Sequence, residues 1–146
     1  MIIYLDFDGT VVEHQYPKMG RCNFGCFEVM KKLQDAGHEI ILNTYRADIG
    51  DGTLEEALSL INDRCNVYIK DRSQRDTFDL LPITATERKI YPAPWHLEQA
   101  RQTQTLFIDD IAHGMPLKPA VMTKGRMVDW DEVDKQLEQN GFYQTI

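Results

Sequence analysis

Asp6 and Asp8 stand two residues apart at the end of a short apolar run, Ile2–Leu5, and Gly9 and Thr10 follow at once. Near a strand end, residues so spaced project to the same side. Two neighbouring carboxylates repel each other unless a cation lies between them or one keeps its proton. Magnesium suits such a place, because it takes oxygen ligands in octahedral geometry and keeps several waters. Asp6, Asp8 through its backbone carbonyl, and the distant Asp109 are the candidate ligands, with Asp110 associated with the metal rather than bound directly. Gly9 lets the chain turn away sharply and leaves room for a phosphate beside backbone amides.

A carboxylate is also a nucleophile that can form an aspartyl-phosphate, later broken by water. Such a path needs a second group to protonate the leaving oxygen and then activate the water, and Asp8 is placed for it. Phosphoryl transfer otherwise demands positioning and charge stabilisation, which Thr44 supplies as a hydroxyl donor and Lys89 as a point charge. Arg88 and Lys70 are the alternatives to Lys89. Gly9, Thr10, Asn43 and Arg46 are candidate substrate contacts; Arg46 equally suits a pair with a carboxylate, and Asn43 a hydrogen-bonded loop. Glu13, His14 and Arg21 are expected as solvated loop residues, His38 and His113 as surface residues, and Trp95 and Trp130 as packing anchors.

These groups need elements to hold them. Ile2–Leu5 reads as a buried strand. Phe24, Phe27, Met30 and Leu33 recur at helical spacing, with Gly37 as the residue past the helix end. Residues 40–42 form a second strand, stopping at Asn43 and Thr44. Thr53 and Glu56 make a capping box for a helix carrying Ala57, Leu58 and Ile61. A third strand is expected at 67–69; residues 70–88 are polar and unassigned apart from a turn at Leu80 and Leu81. Pro92 and Pro94 lead into a helix over 95–102, residues 106–108 form a fourth strand, and 120–122 a short fifth. Asp129 with Glu132 starts the last helix, which carries Val133 and Leu137 and stops before Gly141. Alternating strands and helices predict an α/β fold, with a parallel sheet covered by helices on both faces. Asp6, Thr44 and Asp109 then share the carboxyl edge, where open sheets bind ligands.

The 146 residues suit one domain, 1–146. With 23 acidic and 16 basic side chains the net charge is −7, which argues against broad binding to nucleic acid or membranes. Cys22, Cys26 and Cys65 form no disulfide or zinc framework. A carboxylate at residue 6 and no basic start exclude a signal peptide in this reading, and no apolar stretch reaches membrane-spanning length. The expectation is a cytoplasmic protein.

The residues also carry a resemblance. Asp6-Phe-Asp-Gly-Thr10 after an apolar strand resembles the first motif of the haloacid dehalogenase superfamily. Residues 40–44, an apolar strand ending in threonine, resemble the second. Lys89 before two prolines and a helix resembles the third, and residues 106–110, ending in Asp109 and Asp110, the acidic fourth. Aspartate favours turns and strand ends in any protein, but that preference does not produce four motifs in family order. The resemblance implies a three-layer Rossmann-like core, Mg2+, Asp6 as nucleophile and Asp8 as general acid/base, with Thr44 and Lys89 completing the site. The gaps from Thr10 to Ile40 and from Thr44 to Lys89 hold no folded cap domain, so a capless phosphatase-type member is implied. The function expected is a magnesium-dependent phosphomonoesterase working through an aspartyl-phosphate on a phosphorylated small-molecule or macromolecular substrate. The alternatives are a non-catalytic phosphate-binding or regulatory module, and a polynucleotide end-processing phosphatase, with nucleic acid entering only as substrate.

Overall fold

A computed structural model of the chain describes residues 1–67, 83–86 and 88–144. Its centre is a four-stranded parallel sheet in the order β3-β2-β1-β4, built from β1 (Ile2–Leu5), β2 (Glu39–Leu42), β3 (Ile83–Ala85) and β4 (Thr105–Ile108). The register aligns Leu5 with Leu42 on one side and with Ile108 on the other. Side chains alternate across the sheet, so Ile3, Leu5, Ile40, Leu42, Leu106 and Ile108 form one buried face. Tyr4 and Phe107 stack on the opposite face with ring centroids 4.9 Å apart.

The helices are α1 (Cys26–Asp35), α2 (Arg46–Ile49), α3 (Thr53–Val67), α4 (Leu97–Thr103) and α5 (Trp130–Gln139). The apolar stripe of α1 buries Phe27, Met30 and Leu33 in the same core as Ile61 of α3 and Val133 and Leu137 of α5. Lys32 of α1 and Asp134 of α5 pair at 3.1 Å beside that contact. The steps from β1 to β2 to β3 run one way along the sheet and the step to β4 runs back, so right-handed crossovers put α1 and α3 on one face and α4 on the other. The architecture is the expected three-layer, Rossmann-like α/β fold. No helix among the described residues is long and apolar enough to cross a membrane.

Helix ends follow the sequence closely where glycine sets them. Past α1, Gly37 takes φ +92°, and the amides of Gly37 and His38 return to the carbonyls of Gln34 and Leu33, closing a Schellman motif. Asp129 caps α5 as expected, its carboxylate accepting the amides of Asp131 and Glu132.

Four local readings are corrected. Residue 67 ends α3 and is not the start of a strand, because the helical run from Thr53 continues to it; Tyr68 and Ile69, Lys70, and the turn at Leu80 and Leu81 lie outside the described residues. The third strand is β3, a three-residue edge whose exposed Thr84 gave no apolar run to read. No Thr53–Glu56 box caps α3; Asp51 accepts both the Thr53 amide, at 3.1 Å, and its hydroxyl, at 2.6 Å. Residues 120–122 are no strand but part of the connection of an antiparallel hairpin, β5 (Leu117–Pro119) and β6 (Arg126–Val128). That hairpin docks on the first loop: Val128 donates its amide to the Gly9 carbonyl at 3.0 Å.

Candidate active site

The order of the strands reverses beside β1, so the crevice at its carboxyl end, toward β4, is where an open sheet places a ligand. Asp6, Asn43 and Asp109 each stand one residue past the aligned row of Leu5, Leu42 and Ile108. Ladder bonds continue into them: Asp6 donates its amide to Ile108 and Asn43 to Leu5. The sheet itself therefore brings Asp6 and Asp109 side by side.

Beyond Asp6 the chain winds around one carbonyl, that of Phe7, which accepts the amides of Thr10, Val11 and Val12. Gly9 sits in this turn at φ +84°, and a Cβ there would lie 2.3 Å from an oxygen of Asp110. Only glycine fits that conformation and that approach. The Gly9 amide is spent on Val12, so Gly9 shapes the site rather than contacting substrate through its own N–H. The amides of Phe7 and Asp8 donate to no group among the described residues.

Thr10 holds the turn to both acidic strand ends. It is fully buried, its hydroxyl donates to Asp6 Oδ2 at 2.9 Å, and the Thr10 hydroxyl oxygen in turn accepts the Asp110 amide at 3.2 Å. Its carbonyl accepts from Asn23 Nδ2 at 2.9 Å and Trp130 Nε1 at 2.8 Å. Thr10 is thus a scaffold for Asp6, not the substrate contact expected of it. Trp130 packs as an anchor, as its position suggested, while the hold of Asn23 and Trp130 on the loop had no signal in the sequence. Trp95 donates to Gln136 at 2.8 Å.

Asp6, Asp109 and Asp110 each offer a carboxylate oxygen within 4.8 Å of the others. Lys89 enters this cluster with Nζ 2.9 Å from Asp6 Oδ1 and 3.2 Å from Asp109 Oδ2. The second approach is too oblique for a hydrogen bond, and Asp109 Oδ2 is buried without a hydrogen-bond partner among the described residues. Burial first, and then the Asp109 charge, push the Asp6 carboxyl well above the usual range, with Lys89 only partly opposing them. Burial lifts Asp110 to about 6, and Asp109 adds to the rise. For Lys89, burial acts downward, but Asp6 and Asp109 outweigh it and hold the ammonium charged. One ammonium does not neutralise three carboxylates, and Asp109 Oδ2 is met by that same ammonium but by no hydrogen bond among the described residues. The residues fit a divalent cation with hard oxygen ligands.

Lys89, rather than its exposed neighbour Arg88, is the base in the site. It is held there by its own backbone: its amide donates to Asp48 at 3.0 Å, and Asn43 clamps Ile90 by both its amide and its carbonyl, at 2.8 and 2.9 Å. The hydrogen-bonded role for Asn43 is the one found, in place of a substrate contact; Asp48 escaped notice because its partner lies 41 residues away. Thr44 is buried and accepts the Arg46 amide at 3.2 Å, and its own hydroxyl proton meets no acceptor among the described residues.

Asp8 lines the same crevice but is paired with an arginine. Arg46 grips it with Nε on Oδ2 at 2.9 Å and a terminal nitrogen on Oδ1 at 2.8 Å, the two-pronged geometry that suits a guanidinium. Arg46 is wholly buried and also donates to the carbonyls of Lys18 and Thr53. It is therefore no phosphate contact; of its two readings, the carboxylate pair is correct, with a partly buried partner. The Asp8 side chain stands outside the carboxylate cluster. Glu13 and His38 also depart from expectation. Glu13 is buried, its carboxylate accepting the amides of Val121 and Met122. His38 is half-buried between the amino terminus and the Phe142 carbonyl.

No protein-family model and no curated protein matches the chain. Among solved structures it resembles a conserved protein from Bacteroides thetaiotaomicron, 25% identical, with a TM-score of 0.53 over 95% of this chain and 90% of that one. The two share the Rossmann-like α/β architecture.

Proposed function

We propose that the chain is a magnesium-dependent phosphomonoesterase of the haloacid dehalogenase type, without a cap domain, acting through an aspartyl-phosphate on Asp6. The observation that carries this reading is the meeting of Asp6, Asp109, Asp110 and Lys89 at one strand edge. Asp6, Asp109 and Asp110 would hold the cation, Asp110 directly rather than at one remove as expected from the sequence, together with the Asp8 backbone carbonyl. When bound, the cation supplies Lewis-acid charge against the phosphoryl oxygens.

The chain's own groups divide the rest. An Asp6 oxygen attacks phosphorus, the ester P–O bond breaks, and the leaving oxygen departs with that electron pair and takes the proton that Asp8 carries as general acid. Lys89 and the Thr44 hydroxyl hold the phosphoryl oxygens. Water then attacks the phosphorus of the acyl-phosphate, Asp8 accepts its proton, and the Asp6 carboxylate is released with phosphate. For either proton step, one oxygen of Asp8 has to leave the Arg46 fork.

That requirement favours a second reading, a phosphate-accepting module that does not turn over, because its acid/base stays clamped. Phosphate release separates the two. The proposal predicts steady release from an activated phosphate ester, lost on exhaustive chelation, restored by magnesium and lowered roughly 10³-fold or more by Asp6→Asn in a folded protein. Full activity in Asp6→Asn would end the nucleophile assignment, and activity that survives chelation would end the metal assignment.

A further inference from the structure

The crevice over the carboxylates is a cavity of about 160 Å³ lined by Asp6, Asp8, Thr44, Lys89 and Asp110, and by His14, Tyr16, Tyr45 and Ile111. Ligand pockets usually run from about 300 Å³ upward, so this one encloses a phosphoryl group and little more than one ring. The first five residues carry the phosphate chemistry. The other four form the wall that a leaving group meets, and three of them present flat rings.

That wall starts close to the reacting atoms. Lys89 Nζ lies 2.9 Å from Asp6 and 4.8 Å from the centre of the Tyr45 ring. Tyr45 is 57% exposed and Ile111 48%, so both have surface left to cover. Tyr16 is already fixed, with its hydroxyl on Asp51 at 3.2 Å and the Arg46 guanidinium 5.2 Å from its ring centre. Ile90 and Tyr91, also exposed, continue the apolar rim past Lys89. A sugar or second phosphate needs polar partners. Among the described lining residues beyond the five, the wall offers an imidazole and two phenols, and one phenol is taken; Arg46 is buried and spent.

A separate observation points the same way. Both oxygens of Asp8 accept from Arg46, so a leaving group that needs little help from an acid is best matched to the site. A phenol ionises near pH 10, far below water at about 15.7. Resting on the phosphomonoesterase reading, we infer that the substrate is an aryl phosphate, with the ester oxygen directly on an aromatic ring. In the first step the P–O(aryl) bond breaks, the phenolate leaves with the electron pair and takes its proton from solvent, and phosphorus is bonded to Asp6.

The test compares kcat/KM for phenyl phosphate, a phosphotyrosyl peptide, glycerol phosphate, glucose 6-phosphate and trifluoroethyl phosphate, a ring-free ester with an acidic leaving alcohol, with magnesium present. Phenyl phosphate is expected to exceed trifluoroethyl phosphate by tenfold or more, and Tyr45→Ala to shrink that ratio several-fold mainly through KM, with Tyr45→Phe restoring it. The better of phenyl phosphate and the peptide tells whether the ring is free or borne on a polypeptide. Release from every ester with no preference for rings, or a ratio that Tyr45→Ala leaves unchanged, overturns the inference alone. Release from none of them overturns the phosphomonoesterase reading with it.

Discussion

Asp6 and Asp8 are the same residue type on one tight loop, and the fold gives them opposite neighbours. Asp6 is buried among two other carboxylates, with a lysine and a threonine hydroxyl as its partial relief. Asp8 is turned toward a single buried arginine that satisfies both of its oxygens. The first environment is short of positive charge; the second is balanced. The difference shows how a two-residue spacing yields one carboxylate in an excess of negative charge and another closed in an ion pair. What separates them is the turn about the Phe7 carbonyl, with Gly9 at its apex.

The largest way to upset this contrast is to unbalance the Asp8 side. Arg46→Met leaves Asp8 without its partner, and breaking a buried pair costs about 3–5 kcal/mol. The lower end applies here, because the Asp8 side chain is 12% exposed. Urea unfolding should show a loss of about 3 kcal/mol, part of it recovered when Asp8→Asn is added. A loss under the same conditions no larger than that of a surface substitution would mean that the pair does not hold the loop.

The Asp6 side is sharpened by pH. The folded carboxyls of Asp6 and Asp110 titrate above the ordinary value of 3.8, Asp110 at about 6. Between these values the metal-free folded state binds more protons than the unfolded chain, so its stability falls as pH rises through that window. Magnesium needs the deprotonated ligands. The rise in Tm on adding magnesium should therefore be small at pH 5 and clearly larger at pH 8. A rise independent of pH would place the ion elsewhere.

The smallest effect concerns the loop's outer support. Trp130→Phe removes the donor to the Thr10 carbonyl while Asn23 still reaches it, and is expected to cost about 1–2 kcal/mol in unfolding free energy. Because Thr10 holds Asp6, turnover should fall as well. A stable variant with unchanged turnover would show that Thr10 does not need this anchor.

Much of the fold was legible because the signals were local. The apolar runs of β1, β2 and β4 and the glycine stops at Gly37 and Gly141 each declare themselves within a few residues. The edge strand β3 did not, since its pairing with β2 makes it a strand and its own three residues do not. Of the site, Asp6 and Asp109 come together because parallel strands in register bring their following residues to one edge, whereas Lys89 reaches them through the contacts of Asp48 and Asn43 with its backbone and that of Ile90. The roles of Arg46, Thr10, Glu13 and Asp48 were not legible in that way. Each depends on which of several polar partners a buried group meets after folding, and Arg46 lies 38 residues from its partner Asp8.

The most direct test of the whole account is to trap the phosphoryl group. Asp8→Asn removes the group proposed to activate water while leaving Asp6 intact. After a single turnover of phenyl phosphate with magnesium and an acid quench, peptide mass spectrometry should find the phosphoryl group on Asp6. A variant that turns over at the wild-type rate, or a phosphoryl group on any other residue, would contradict the division of labour between the two aspartates.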